Sequence, residues 1–238
     1  MRAFFVYLFS MKGLEKKLQN PVWHSLNETH TEFLMEYDGV QFYHPDICVF
    51  GAFYDPKKTT KALNEYSKIA ERFFLVSENE MPIIDRNYVI LEKKFSGCQM
   101  VLDHFVDIKI TENIVVLTKD YKNEIYDLIC LVMPGFYQKG GFEMGQFFGI
   151  FRDTKLVAVS GQRMQTNDFI ELSSVVTHPD YTRRGFAKQL ITYTTKEILK
   201  TKKLPILHAD KGNTAIHLYE KLGYKLTRNM NWWLFRRK

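Results

Sequence analysis

The sequence predicts an α/β protein, with a mixed central sheet flanked by helices in its second half and a smaller α/β region ahead of it. Three observations predict this. Residues 146–176, "QFFGIFRDTKLVAVSGQRMQTNDFIELSSVV", read as three strands broken by polar turns at "RDTK" and "QTND". The stretch "VVTHPDYTRRGFAKQL" (175–190) passes from an apolar strand through a basic, glycine-containing turn into an amphipathic helix. A second such passage follows, from "PILHA" into "GNTAIHLYEKLGY". Antiparallel strands followed by helix, strand and helix make a mixed sheet with helical cover.

In chain order, "AFFVYLF" (Ala3–Phe9) is apolar but too short to span a bilayer, and no small-residue cleavage site follows it. Met11 is an alternative start. "ICVFGAF" (47–53) and "RNYVILE" (86–92) have strand character. Between them, "LNEYSKIAERFF" (63–74) spaces Leu63, Tyr66, Ile69, Ala70 and Phe73 as a helix face. Residues 114–117 predict a strand. A helix follows from about Tyr121, with Asp120 as N-cap and Pro134-Gly135 as its end. The helix after the basic turn carries Phe186, Ala187, Leu190, Ile191 and Ile198 on one face. The last helix takes Asn213 as N-cap and Gly223 as its left-handed C′ residue. "YKLTR" and "WWLFRR" predict two closing strands, with tryptophans in the core. The domain boundary is placed near residue 111, giving an N-terminal α/β region at 1–111 and a second domain at 112–238.

Composition narrows the function. The 238 residues are 45% hydrophobic, 15% aromatic and 25% charged, as in an ordinary globular chain. Three isolated cysteines, Cys48, Cys98 and Cys130, have no metal-ligand spacing and point to reduced thiols in the cytoplasm. No metal site, membrane segment or internal repeat is expected. The net charge of +6 is uneven: residues 1–120 hold 14 Lys/Arg against 17 Asp/Glu, and residues 121–238 hold 19 against 10. The second half therefore faces something anionic, be it nucleic acid, a membrane surface or a phosphorylated ligand.

On charge and turn alone, a solvated basic surface with a glycine-containing helix start is the other reading. The first turn of a helix has unpaired N–H groups and a partial positive charge, so it receives anions. Gly185 lets a ligand approach the backbone, and Arg183, Arg184 and Lys188 add formal charge. The composition suits a pyrophosphate. It is neither a Walker loop nor a dinucleotide fingerprint, because GxxxxGK[ST] is absent from the chain and GxGxxG from this turn.

Four features in order resemble the GNAT superfamily of acyl-CoA-dependent N-acetyltransferases, in its bacterial branch with an extra N-terminal region. They are the "GIFRDTKLVAVSGQRM" hairpin, the strand "ELSSVVTHPDY", the turn Thr182-Arg183-Arg184-Gly185-Phe186-Ala187, and "NTAIHLYEKLGY". Thr182 stands where many members have Arg or Gln. The resemblance covers about residues 112–238, and "NPVWHSL" in the first half is typical of the accompanying region. A degenerate copy of the same fold is one reading of that half.

The resemblance implies acetyl transfer from acetyl-CoA to an amine by direct attack in a ternary complex, with no metal. It lays the pyrophosphate on the amides of Arg183, Arg184, Gly185, Phe186, Ala187 and Lys188. It runs the pantetheine arm beside Val175, Val176 and Thr177, with Asn213 touching that arm. Tyr219 stands at the position of the family's catalytic tyrosine, as acid to the departing thiolate. Glu171, fourteen positions before Gly185, stands as base, with His208 and solvent as alternatives. Phe136, Tyr137, Phe142 and Glu143, with Met144, are expected to shape the acceptor site, together with a turn at "RNMN". The acceptor is a small-molecule amine or a protein N-terminus or lysine. Nucleic acid and membrane are not expected partners, and the chain is read as a monomer or homodimer. A non-catalytic acyl-CoA sensor is the competing reading. "WWLFRRK" reads as a closing strand with a basic tail.

Overall fold

In a computed structural model the described residues are 11–78 and 80–238. The apolar run Ala3–Phe9 lies outside them. The described residues begin with α1 (Met11–Gln19) and α2 (Pro21–Glu28), then β1 (Leu34–Tyr37), β2 (Val40–Tyr43) and β3 (Phe50–Ala52). Next come α3 (Thr59–Ser67), β4 (Arg72–Ser77), β5 (Val89–Leu102), β6 (Ile114–Leu117) and α4 (Lys122–Val132). The remainder is β7 (Phe147–Arg152), β8 (Lys155–Gln165), β9 (Phe169–Thr177), α5 (Phe186–Lys200), β10 (Leu204–Asp210), α6 (Ile216–Lys221) and β11 (Tyr224–Arg237).

Local chemistry explains many of these boundaries. Asn20 accepts a hydrogen bond from Trp23 N–H, and Pro21 starts α2 where a missing N–H costs nothing. The β1–β2 and β7–β8 hairpins turn on Asp38-Gly39 and Asp153-Thr154, all four with positive φ, the backbone that matches strand twist. Gly223, with φ +90°, ends α6 as anticipated.

Four expectations need correction. The helix expected to reach residue 74 stops at Ser67, and Phe73 enters β4, where both strand edges are paired and the apolar run Phe73–Val76 is buried. Asp120 does not cap a helix: a 3₁₀ turn intervenes, and the Asp120 carboxylate accepts from Thr118 Oγ1 instead. Asn213 accepts from Ala215 N–H in a local turn, and α6 begins only at Ile216. The two closing strands are one, β11, so "RNMN" is not a turn; a bulge between Leu226 and Arg228 keeps the long strand in register with β5.

All eleven strands of the described residues form one sheet in the order β1-β2-β3-β4-β11-β5-β10-β9-β8-β7-β6. Each half repeats one pattern. An antiparallel run ends in a parallel pair joined by a helix: β3 and β4 through α3, and β9 and β10 through α5. The halves then exchange strands. The end of β11 (Asn231–Arg236) inserts between β4 and β5, while the end of β5 (Gly97–Val101) inserts between β10 and the start of β11. The core continues across this exchange, with Phe42, Tyr66, Phe73 and Phe235 in one cluster with Met164, Phe169 and Ile206. His30 ties the halves again, bonding Tyr43 Oη and Met144 O. The division expected near residue 111 falls between β5 and β6.

Candidate active site

The site begins where the sheet splits. β9 and β10 pair only from Leu204↔Phe169 to Ile206↔Glu171; beyond that β10 follows β5 as far as Asp210 while β9 turns away. The divergence coincides with a bulge in β9: Val159 faces Val176 and Gly161 faces Ser173, with Ser174 at φ +53°. From Leu172 to Thr177 one edge of β9 is therefore left without a neighbouring strand. Val175 and Val176 line the opening.

The strand leads into the basic turn. Thr182 N–H donates to Pro179 O and Gln189 N–H to Gly185 O; the amides of 183–188 between them have no backbone acceptor among the described residues. Gly185 adopts φ +79° with open space where a Cβ would stand, and Arg183 is also left-handed at φ +61°. Arg183, Arg184, Gly185 and Lys188 are exposed, while Phe186 anchors the helix in the core. Arg184 lies over the Tyr181 ring and donates to Asp180 O, which holds its charge beside the amides. An anion cradle with an open approach results.

Below the split is a cleft of about 550 Å³. One wall is the β9 edge with Ile129, Val132 and Phe147. The other is aromatic, with Phe50, Phe74 and Phe95 from the first half and Trp232 from β11. Tyr219, on α6, lines the cleft beside Asn213 and Ala215. Burial pushes its hydroxyl up to about 12, so it remains protonated at neutral pH. That hydroxyl makes no hydrogen bond to the described residues.

Glu171 sits behind this surface. Its carboxylate accepts from Arg163 Nε (2.8 Å) and Nη2 (2.7 Å) and from His208 Nδ1–H (2.7 Å). Burial alone would raise its pKa, but the Arg163 charge and hydrogen bonds, with help from His208, hold it at about 2. The Glu171 side chain is 1% exposed; Arg163 and His208, not Glu171, face the cleft. His208 is occupied on both nitrogens, because Gln99 Nε2 donates to its Nε2 as well as to Leu18 O.

Of the expected acceptor residues, Phe136, Tyr137 and Met144 line this cleft. Phe136 packs on Phe74 and Phe95, bridging from the α4 side to the aromatic wall. Phe142 and Glu143 lie elsewhere: Phe142 stacks on Phe147 beside a separate, open hollow, and Glu143 pairs with Lys122 at 3.2 Å. The sequence reading missed Arg163, Gln99, Trp232 as a cleft residue, and the wall of Phe50, Phe74 and Phe95. Arg163 left a signal: a cation in an apolar strand pairs with a carboxylate on the next strand. The aromatic wall left none: Phe50 and Phe74 meet across the β3–β4 pair, and Phe95 and Trp232 join them only through the strand exchange.

A splayed parallel pair, open helix-start amides at its mouth and a protonated tyrosine at its edge form an arrangement chemically suited to acyl transfer. The profile of the FR47-like protein family matches residues 147–233. A solved structure from Novosphingobium aromaticivorans, named for the GNAT family of acetyltransferases, is similar at 27% identity. It covers 93% of this chain and 98% of its own, with a TM-score of 0.84. A GCN5-related N-acetyltransferase-like protein from Streptococcus suis shares the fold at 14% identity, 96% and 98% coverage and TM-score 0.60. So does a GCN5-related N-acetyltransferase from Kribbella flavida, at 11% identity, 93% and 94% coverage and the same TM-score. No curated protein matches the chain. The chain has the fold of these GNAT-family structures and carries an FR47-like segment, similarities that support acyl transfer in general.

Proposed function

We propose that the protein moves an acetyl group from acetyl-CoA to an amine by direct attack in a ternary complex. One observation carries this reading: an open amide cradle with three exposed cations leads along the free β9 edge to Tyr219 and a cleft. A pyrophosphate suits the amides of 183–188, with Arg183, Arg184 and Lys188 alongside. An extended, amide-bearing arm suits the unpaired edge at Val175–Thr177, with Asn213 across from it. When bound, acetyl-CoA supplies the thioester.

A neutral amine nitrogen attacks the thioester carbonyl carbon, a C–N bond forms, and the C–S bond breaks. An N–H near Val175 faces the carbonyl oxygen as negative charge develops there. Tyr219 gives its hydroxyl proton to the departing thiolate, and solvent later restores it. Glu171, the base expected from the sequence, has another duty in this proposal. A carboxylate held at about 2 and screened by Arg163 and His208 is a weak proton acceptor, so it serves to fix those two side chains. Water at the open end of the cleft takes the amine proton. Residues 1–111 contribute part of the acceptor wall through Phe50, Phe74 and Phe95. The three free cysteines accord with the cytoplasm as the working compartment.

The test is release of free CoA from acetyl-CoA against a panel of amino acids, small amines and peptide N-termini. Turnover with at least one class is expected. Acetyl-CoA binding without turnover on any class would leave a binding module, and absence of binding would remove the reading.

A further inference from the structure

The cleft has one cation and one anion among its lining side chains, and they stand at opposite ends. Asp210 is exposed where β10 finishes. Arg163 lies beside the last β9–β10 pair, with its side chain 26% exposed. Between them the walls are largely apolar and aromatic.

Arg163 is fixed in place. Nε and Nη2 bind Glu171, and the guanidinium stacks over the Phe50 ring at 4.8 Å. A guanidinium carries five N–H donors in a planar fork. Two are spent on Glu171, and Nη1 makes no hydrogen bond to the described residues, nor is it sealed within the protein. The free edge is therefore the Nη1/Nη2 pair, two parallel N–H groups with the spacing of a carboxylate. Glu171 does not cancel this demand, because it also accepts from His208 and from Met164 N–H (3.3 Å). Unpaired donors facing an apolar chamber are costly until a ligand meets them.

We propose that the acceptor is an amino acid with a bulky apolar side chain, its carboxylate received by the Nη1/Nη2 edge of Arg163. This rests on the acetyl-transfer reading and names its substrate class. The amino group then points from Arg163 toward Val175 and the thioester. The side chain lies against Phe74, Phe95 and Trp232. The product is the N-acetyl amino acid, with CoA as the thiol released.

The test compares phenylalanine with phenylalaninamide and phenethylamine, which keep the ring and the amine but lack the carboxylate. The acid is expected to exceed both in kcat/KM by about 10- to 100-fold, the worth of hydrogen bonds to a charged group. Equal turnover of acid and amide overturns the proposal. Calorimetric titration of N-acetylphenylalanine and its amide into the CoA-loaded protein reads the same contact without turnover. Binding of the acid at least 10-fold tighter supports the proposal, and equal or absent binding of the two overturns it. Arg163→Gln is expected to lose the preference for the acid while keeping the acetyl-CoA thermal shift. Should that variant fail to fold, Arg163→Lys keeps the charge without the fork and is expected to narrow the preference. Either folded variant retaining the full preference overturns the assignment. Failure of the acetyl-transfer reading is separate: it appears as no CoA release with any amine, whatever the titration gives.

Discussion

Gly185 combines a left-handed backbone with open space above it, and the two properties are separable by mutation. Asn tolerates that conformation, whereas a β-branched residue is strained there. Gly185→Asn is expected to fold as the parent does yet lose acetyl-CoA affinity, because its side chain stands in the approach of the pyrophosphate. Gly185→Val loses affinity and some stability together. Circular dichroism with CoA titration checks both, and unchanged affinity in either variant means that the phosphates bind elsewhere. Tyr219→Phe removes a hydroxyl that has no partner among the described residues, so folding and acetyl-CoA binding are expected to persist. Turnover should drop by roughly 10²–10⁴, as for a positioned proton donor; full turnover with chemistry rate-limiting would make the tyrosine structural. Glu171 has its folded-state pKa at about 2, below the ordinary carboxylate value. Its contribution to stability is therefore present above about pH 4.5 and is lost as pH falls toward 2. Glu171→Gln also leaves Arg163 without its counter-charge, so the variant is expected to be less stable at pH 7, the gap narrowing on acidification. Denaturant midpoints at pH 7 and pH 3 check this; a constant gap would contradict the pairing.

The helices and turns were legible because their signals are local. The basic turn, α5 and Gly223 each follow from residues within one or two turns of chain, and so does the hairpin at Asp153-Thr154. The β5–β11 exchange was not legible, because it pairs residues more than a hundred positions apart, and nothing in "RNMN" says that a strand runs through it. The same exchange hid the approach of Phe95 and Trp232 to Phe74, whereas Arg163 and Glu171 lie only eight positions apart on paired strands, within reach of a sequence reading. Phe73 was misread since apolar residues at helical spacing also suit a strand paired on both edges. The exchange has a consequence. Residues 112–238 alone lack β5, which leaves β10 and β11 with unpaired edges. Expressed alone, that half is expected to aggregate or to lack cooperative unfolding, and a monomeric, cooperatively melting fragment would contradict the topology. At the crossing, a Cβ on Gly97 would stand 2.4 Å from the Trp232 ring and 3.0 Å from Ala209 O. Gly97→Ala is expected to cost about 1–3 kcal/mol, read as a lower melting temperature.

At the scale of the molecule, one sheet carries two copies of a strand–helix–strand pattern, and only the second presents an open anion cradle. In the first copy amides of the corresponding turn are already occupied: Lys57 N–H donates to Asp55 Oδ1 and Lys58 N–H to Asp55 O. The cleft is lined from both copies, and the similar structure from Novosphingobium aromaticivorans matches over nearly its whole length. The central claim is that the cradle at 183–188 holds the phosphates of an acyl-CoA. Ligand at about 100 times its Kd stabilises the folded state by roughly 2.7 kcal/mol. For a chain of this length that is on the order of 5–10 °C in melting temperature. Thermal unfolding of the whole protein with and without millimolar acetyl-CoA measures it directly: a rise of that size is the predicted result, and an unmoved melting temperature would contradict the account.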